Sequence, residues 1–277
     1  MMAYSGKVLM DILIPILALG ALGLIFGVGL AIASKRLAVQ TDPRLEKVHG
    51  LLPGSNCGAC GGAGCFGFAE SLLSGKANIG ACRVAEEKMK EQIAALLGQK
   101  VEPKVKQVAV LHCNGGTKVK DRFIYKGIED CTAANLVLGG QKACVYGCLG
   151  FSTCVEVCPF GAISMNEEDL PVVDEKKCRA CNKCVEACPK QLFSLVAVSK
   201  TYAVRCKSQD LGKQVMEVCK VGCIACRKCE KACPVGAIKV VDNLAVIDYN
   251  ICDNRSECLK ACPTKTIARK EKGVWES

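Results

Sequence analysis

Cysteine is the residue type in this sequence most able to do chemistry, with 23 among 277 residues. Most of these thiols stand in short C-x2-C and C-x3-C-P runs, which are typical of metal ligands rather than of disulfide frameworks. Thiolates in such runs hold [4Fe–4S] clusters in sets of four. The formal net charge of +10 fits this interpretation, because an oxidised cluster with its four thiolates carries roughly two negative charges. No nucleic-acid-binding motif is recognisable, so no nucleic-acid partner is predicted.

The first cysteine group lies in a glycine-rich stretch. Its four thiols are Cys57, Cys60, Cys65 and Cys82. They suffice for one [4Fe–4S] cluster, and the glycines between them let the backbone approach a bulky inorganic core. Structural zinc is the alternative. The following stretch, residues 84–97, is predicted to be a helix that ends at Gly98.

The other cysteines follow a duplicated pattern between about residues 105 and 268. Adding 75 to Cys131, Cys144, Cys148, Cys154 and Cys158 gives Cys206, Cys219, Cys223, Cys229 and Cys233. Adding 74 to Cys178, Cys184 and Cys188 gives Cys252, Cys258 and Cys262. Each copy resembles a bacterial two-cluster ferredoxin, in which the last cysteine of each C-x2-C-x2-C-x3-C-P run ligates the other cluster.

That crossing rule completes two ligand sets. The first set is Cys158, Cys178, Cys181 and Cys184, and the second is Cys223, Cys226, Cys229 and Cys262. Each of the other two runs lacks its second cysteine. Phe151 stands in that place in the first run, and Cys144, four residues before the run, is expected to substitute for it. The thiols it would join are Cys148, Cys154 and Cys188.

Arg255 stands in the second-cysteine place of the last run, and no spare cysteine lies nearby in the sequence. The thiols left for that site are Cys233, Cys252 and Cys258. The alternatives are a [3Fe–4S] cluster, a four-iron cluster with a non-cysteine ligand such as Asp253, or an empty site.

Four thiols remain unassigned by the crossing rule. They are Cys113, Cys131, Cys206 and Cys219. They are enough for one further cluster between the two copies, in which Cys144 could trade places with one of them. The alternative is that some are small buried core residues. The chain is therefore expected to hold five to six [4Fe–4S] clusters, or one [3Fe–4S] cluster among them.

The N-terminal segment that would position these sites is apolar. Residues 12–33 contain no charged side chain, and about 20 apolar residues cross a bilayer. Lys35 and Arg36 follow at once, which predicts a single-pass protein of the cell (inner) membrane with its C-terminal bulk on the cytoplasmic side. A buried helix of a soluble core is one alternative, which the length of the segment disfavours, and a cleaved signal peptide is the other. The signal peptide is disfavoured because the apolar run is too long and its flanking charges follow rather than precede it.

These elements predict an α+β chain with an N-terminal transmembrane helix, a small helical [4Fe–4S] domain and two tandem bacterial-type two-cluster ferredoxin modules. The predicted domains are an anchor at 1–36, a four-Cys domain at 37–100, a first module with a Cys-rich insert at 101–200, and a second module at 201–277. Short strands are predicted at 108–112, 172–174, 202–205 and 246–248. The chain has two histidines, no nucleotide-binding loop and no acid–base constellation, so no catalytic residue is predicted.

The combination of anchor, Cys57–Cys82 group and paired ferredoxin runs resembles the B subunits of Rnf complexes, the ion-translocating ferredoxin:NAD+ oxidoreductases of bacterial membranes. The insert that begins at Cys113-Asn114-Gly115-Gly116 is similar to the longer variety found in anaerobes. The resemblance covers nearly the whole chain, and Arg255 departs from its pattern.

The resemblance implies an electron-transfer subunit of a Na+- or H+-transporting oxidoreductase, which accepts electrons from soluble reduced ferredoxin and relays them through its clusters. It implies other membrane and peripheral subunits as partners, together with the lipid bilayer. The alternatives are a polyferredoxin relay of another membrane redox complex of the hydrogenase type, a non-enzymatic iron–sulfur redox sensor, and a zinc-rich scaffold.

Overall fold

The structure is a computed structural model, and it describes residues 3–37, 42–100, 105–271 and 273–276. The chain divides into two compact units, residues 1–46 and residues 47–277. The first unit contains helix α1, Ala3–Leu37, with Lys35 and Arg36 in its last turn. Within it, Leu13–Leu37 is long and apolar enough, by length and composition, to cross a membrane. Its apolar side chains are exposed, for example Leu30 at 71 %, which is the expected state of a single membrane-anchoring helix.

The beginning of the second unit is helical. Helix α2 covers Pro43–Leu51 and begins in the first unit, and α3 and α4 cover Gly64–Leu73 and Glu87–Leu97. The fully buried side chains here include Val48, Phe68, Leu72, Ile79 and Ile93. Gly98 ends α4 in the left-handed conformation, with φ 65°, as predicted.

The start of α4 differs from the prediction, which placed it at residue 84. Val84 and Ala85 lie outside the helix, and their backbone N–H groups donate to the sulfur of Cys82. Glu86 is extended, with φ −68° and ψ 156°, and the helix begins after it at Glu87.

The first ferredoxin module is built from short elements. They are β1 Gln107–Leu111, α5 Cys131–Leu136, α6 Thr153–Glu156, β2 Ile163–Met165, β3 Pro171–Val173, α7 Lys183–Ala187 and β4 Phe193–Ala197. Strand β1 pairs antiparallel with β4, and β2 pairs antiparallel with β3. Strand β1 is buried along residues 108–111 and contributes Val108, Val110 and Leu111 to one core with Leu192 and Phe193.

The second module repeats this plan. Its elements are β5 Tyr202–Val204, α8 Gly212–Val218, α9 Lys228–Ala232, β6 Ile238–Val241, β7 Leu244–Ile247, α10 Glu257–Ala261, β8 Ile267–Glu271 and β9 Val274–Glu276. Strand β5 pairs antiparallel with β8, as β1 does with β4, and β6 pairs with β7. The mixed helix and strand content agrees with the predicted α+β class.

A buried ion pair joins the two modules. Lys270 Nζ lies 3.1 Å from Glu175 Oε2, and the two side chains are only 9 % and 17 % exposed. The same ammonium group donates to the Val198 carbonyl oxygen and lies 5.9 Å from the centroid of the Trp275 ring. Several interactions therefore converge on one lysine at the module boundary.

Candidate metal centres

All 23 cysteines are free thiols, which agrees with the metal-ligand interpretation of their spacing. A four-Cys zinc ion would draw its sulfurs to about 2.3 Å from one point. Among the described residues, no three Cys, His, Asp or Glu side chains converge closely enough to hold a single metal ion. Five groups of thiols instead line partly open cavities with about 310 to 490 Å³ of empty space. Thiols spread around a cavity fit a polynuclear cluster better than one ion.

The four thiols of the helical region form what we name site 1: Cys57, Cys60, Cys65 and Cys82. The backbone N–H of Cys65 donates to Asn56 Oδ1 at 2.7 Å, which fixes the start of α3. Burial raises the pKa of the Cys82 thiol, and the nearby Cys60 and Cys57 thiols raise it further. A Cβ atom at Gly62 would lie 2.9 Å from the Phe68 backbone nitrogen, so this close approach requires glycine.

The crossing rule predicts two complete sets of four cysteines, and each set lines one cavity. Site 2 consists of Cys158, Cys178, Cys181 and Cys184, and site 5 consists of Cys223, Cys226, Cys229 and Cys262. The short helices explain the crossing. Cys184 lies inside α7 and Cys188 caps its end, so thiols one helical turn apart enter different cavities.

A third cavity corrects the prediction for the run that contains Phe151. Site 3 consists of Cys131, Cys148, Cys154 and Cys188. Cys131 therefore stands where Cys144 was expected, and Cys144 lines a different cavity. Cys144 is directed elsewhere by a tight turn, in which its carbonyl oxygen accepts the N–H of Gly147 at 3.1 Å.

The position of Cys131 depends on a helix cap. Asp130 caps α5 by accepting the Ala133 N–H at 2.8 Å. The Thr153 hydroxyl, at the start of α6, donates to Asp130 Oδ2 and accepts the Cys131 N–H, both at 2.8 Å. These two hydrogen bonds of Thr153 hold the N-terminus of α5 beside the run that contains Cys154.

Site 4 takes two thiols from each module. It consists of Cys113, Cys144, Cys206 and Cys219. Its cavity is the largest of the five, at about 490 Å³, and Cys148 of site 3 also reaches it. The prediction of a further cluster between the copies named three of these thiols together with Cys131, with the alternative that Cys144 trades places with one of the four, and the structure has that alternative, with Cys144 in place of Cys131.

The residues that precede two site 4 thiols bind the opposite module. His112 Nδ1 donates to the Val204 carbonyl oxygen at 2.7 Å, and its Nε2 lies 2.6 Å from Ser194 Oγ. Arg205, only 8 % exposed, donates through Nε and Nη2 to the Cys113 carbonyl oxygen at 3.2 and 2.9 Å. Burial lowers the pKa of His112 to about 4, so its neutral ring serves as a structural link. The sequence alone favoured a structural over a catalytic role for His112 but gave no partner for it, and it did not identify Arg205.

Site 6 contains the three thiols left beside Arg255: Cys233, Cys252 and Cys258. Asp253, the predicted alternative ligand, also lines this cavity, but its Oδ2 lies 2.7 Å from Arg255 Nε. The carboxylate is thus engaged with the residue that replaced the missing cysteine.

Burial and neighbouring thiols oppose ionisation of several of these cysteines. Burial raises the pKa of Cys154 to about 12, and the neighbouring thiols Cys131 and Cys188 contribute. Burial likewise raises the pKa of Cys184 to about 12, with a contribution from Cys178. Several thiolates in one cavity repel each other, and bound iron offsets that repulsion. The donor sets therefore fit iron–sulfur clusters.

Comparison with protein families gives matches in each of these regions. A family described as a putative Fe-S cluster matches residues 52–84, which include all of site 1. Two families described as 4Fe-4S dicluster domains match residues 142–193 and 177–237. These matches confirm the predicted class of cofactor and the order of the iron–sulfur regions.

Three relatives, all named as B subunits of ion-translocating complexes, match along most of their length and of this chain. The relative from the Na(+)-translocating ferredoxin:NAD(+) oxidoreductase complex of Acetobacterium woodii is 45 % identical, covering 93 % of this chain and 78 % of the relative. The relative from the proton-translocating ferredoxin:NAD(+) oxidoreductase complex of Clostridium ljungdahlii is 44 % identical, covering 89 % and 88 %. The relative from an ion-translocating oxidoreductase complex of Methanosarcina acetivorans is 43 % identical, covering 91 % and 96 %. The chain therefore belongs to the family of B subunits of ion-translocating ferredoxin:NAD(+) oxidoreductase complexes.

Proposed function

We propose that this chain is the electron-relaying subunit of such a complex, and that sites 1 to 6 hold its iron–sulfur clusters. The observation that carries the proposal is that the six thiol groups adjoin one another in a single series. A [4Fe–4S] cluster supplies one-electron transfer when bound. The residues of this chain hold the clusters, space them and set their electrostatic surroundings.

The series begins in the four-Cys domain and runs into the first module. Burial raises the pKa of Cys181 in site 2, and Cys57 of site 1 adds to that shift, so the two thiols lie within electrostatic reach. Cys154 of site 3 acts in the same way on Cys184 of site 2. Helix α7 joins sites 2 and 3 directly, because Cys184 and Cys188 lie one turn apart.

The series continues through site 4 into the second module. The backbone N–H of Cys148 in site 3 donates to the sulfur of Cys113 in site 4 at 3.5 Å. The backbone N–H of Cys223 in site 5 donates to the sulfur of Cys206 in site 4. Ligand residues of both modules thus bond to site 4 sulfurs, and helix α9, with Cys229 inside, leads from site 5 to site 6.

The pattern of strand pairing supports the predicted domain division. Strands β1 and β4 lie within residues 101–200, and β5 and β8 lie within 201–277, so each pairing closes one module. We infer the boundaries 1–36, 37–100, 101–200 and 201–277, with all 23 cysteines as cluster ligands.

We infer that the apolar helix holds the relay at the membrane of the cell, with residues after Arg36 on the cytoplasmic side. Lys35 and Arg36 at the end of α1 support this orientation through the positive-inside rule. The relatives are named as subunits of complexes, so further membrane and peripheral subunits are the proposed partners. Soluble reduced ferredoxin is the proposed electron donor.

Iron and labile-sulfide analysis of the anaerobically purified full-length chain tests the proposal. Six sites predict about 23 to 24 iron atoms per chain, at four per four-thiol site and three or four at site 6. Reduced ferredoxin should bleach the visible absorption of the holoprotein. A zinc-containing, colourless protein, or a brown one that ferredoxin cannot reduce, would refute it.

A further inference from the structure

The four ferredoxin runs can be compared at one position, the place of the second cysteine. It holds Phe151, Cys181, Cys226 and Arg255 in the four runs. Two of these positions are thiols and two are not. The surroundings of the position also differ: it is partly covered at Phe151 and Cys181 and exposed at Cys226 and Arg255, so Cys226 is the exposed thiol among the four.

Other parts of the chain lie against this position in the first module. The Phe151 ring packs on Tyr125 of the insert, with ring centroids 5.4 Å apart. Cys57 of site 1 lies within electrostatic reach of Cys181, and Arg83 Nη1 donates to Gln107 Oε1 at 3.1 Å. An iron–sulfur domain of this same chain therefore sits against the first module near its second-cysteine thiol.

Cys226 is different because it is the one exposed cysteine among the 23. Arg227 and Lys228 follow it and are both exposed, with 62 % of the Arg227 side chain accessible. Lys265, three residues after the site 5 thiol Cys262, is exposed as well. Arg227 Nε lies 4.0 Å from Glu230 Oε2, whose side chain is 31 % exposed, and residues 221–229 and 262–266 contain no further Asp or Glu. Site 5 thus reaches the surface at a thiol with a positively charged rim.

An exposed ligand thiol with a positively charged rim suits electron exchange with another protein. A thiol ligand at the surface lets a partner's cofactor approach closely, and a basic rim speeds the encounter with an acidic protein. We propose that the surface around Cys226, with Arg227, Lys228 and Lys265, is the docking site for a small acidic iron–sulfur protein of the ferredoxin class. The inference rests on the relay function proposed above and adds the place where the electron donor binds.

The test compares two charge-reversal variants of the full-length holoprotein. The first is Arg227→Glu with Lys228→Glu. The control is Lys176→Glu with Lys177→Glu, an exposed basic pair that directly precedes Cys178 of site 2. Both change the net charge by the same amount. Stopped-flow absorbance then follows cluster reduction by an acidic two-[4Fe–4S] ferredoxin at low and high salt, and photoreduced deazaflavin serves as a small reductant without a docking requirement.

The expected result is a second-order rate with ferredoxin at least about tenfold lower in the Arg227/Lys228 variant at low salt. The difference should shrink at high salt, and the iron content and the deazaflavin rate should match those of the unaltered protein. Equal losses in both variants would refute the docking site, because net charge alone would explain them. An unchanged rate with ferredoxin in the Arg227/Lys228 variant would also refute the docking site. A failure of that variant to assemble with other subunits would not alter this conclusion. If ferredoxin does not reduce the unaltered protein at all, the relay function itself fails.

Discussion

Replacing Arg205 should lower the reduction potential of the cluster at site 4. The guanidinium group lines that cavity, is 8 % exposed, and donates to the Cys113 carbonyl oxygen. None of the carboxylates in the described part of the chain forms a salt bridge with it. A buried cation needs an opposite charge, and an anionic cluster on four thiolates supplies one.

The magnitude follows from Coulomb's law. For a separation of about 7 Å between the guanidinium charge and the cluster, an effective dielectric constant of about 20 gives about 2.4 kcal/mol for one added electron. That energy corresponds to about 100 mV for a one-electron couple. The cluster gains negative charge on reduction, so the positive charge stabilises the reduced form. Arg205→Met should therefore make the potential more negative by about 100 mV.

The assay is an EPR-monitored redox titration of the anaerobically purified full-length chain. The site 4 signal is identified as the one missing from a Cys144→Ser variant. Arg205→Lys, which keeps the charge, should shift that signal much less, and Lys106→Met, which removes an exposed charge, should leave it nearly unchanged because solvent screens it. A site 4 potential in Arg205→Met that equals that of Lys106→Met would refute the electrostatic role.

Three further substitutions test other parts of the structure. Cys131→Ser and Cys144→Ser should each remove about four iron atoms and the double variant about eight; a loss of only four in the double variant would put both thiols in one site. Arg255→Cys gives site 6 a fourth thiol, so a three-iron EPR signal in the parent should disappear with a gain of about one iron, whereas an unchanged spectrum and iron content would contradict a three-iron site completed by this thiol. Lys270→Met leaves Glu175 buried without its partner and should cost about 3 kcal/mol, whereas adding Glu175→Leu should restore most of it; anaerobic thermal unfolding measures both, and equal melting temperatures would contradict the prediction.

The sequence predicts the ligand sets best where the cysteines follow a regular, repeated spacing. The crossing rule groups the same thiols that line the cavities of sites 2 and 5, because each short helix carries one ligand inside and presents the next at its end. The apolar segment, the strands and the end of α4 at Gly98 follow from local pattern in the same way. These features depend on neighbours within a few residues, which a single sequence displays.

The ligand of site 3 shows what local pattern leaves undetermined. Cys144 is nearer in sequence to the run with Phe151, yet Cys131 lines its cavity. The choice depends on Thr153, which bonds both Asp130 and the Cys131 backbone, and that contact joins residues more than twenty positions apart. Chain distance therefore misled the assignment of the fourth thiol, although the presence of a spare thiol was evident.

Site 4 makes the two modules depend on each other. Each contributes two thiols, so neither module alone can complete the donor set, and a cluster bound there would stabilise the docked arrangement as any ligand stabilises the state that binds it. His112 and Arg205, each directly before a site 4 thiol, bond to the backbone of the opposite module. The duplication thus did more than add two ferredoxin sites. At the junction it created a further site whose ligand sulfurs accept N–H groups from site 3 and site 5 residues, and the continuity of the relay across the module boundary depends on that site.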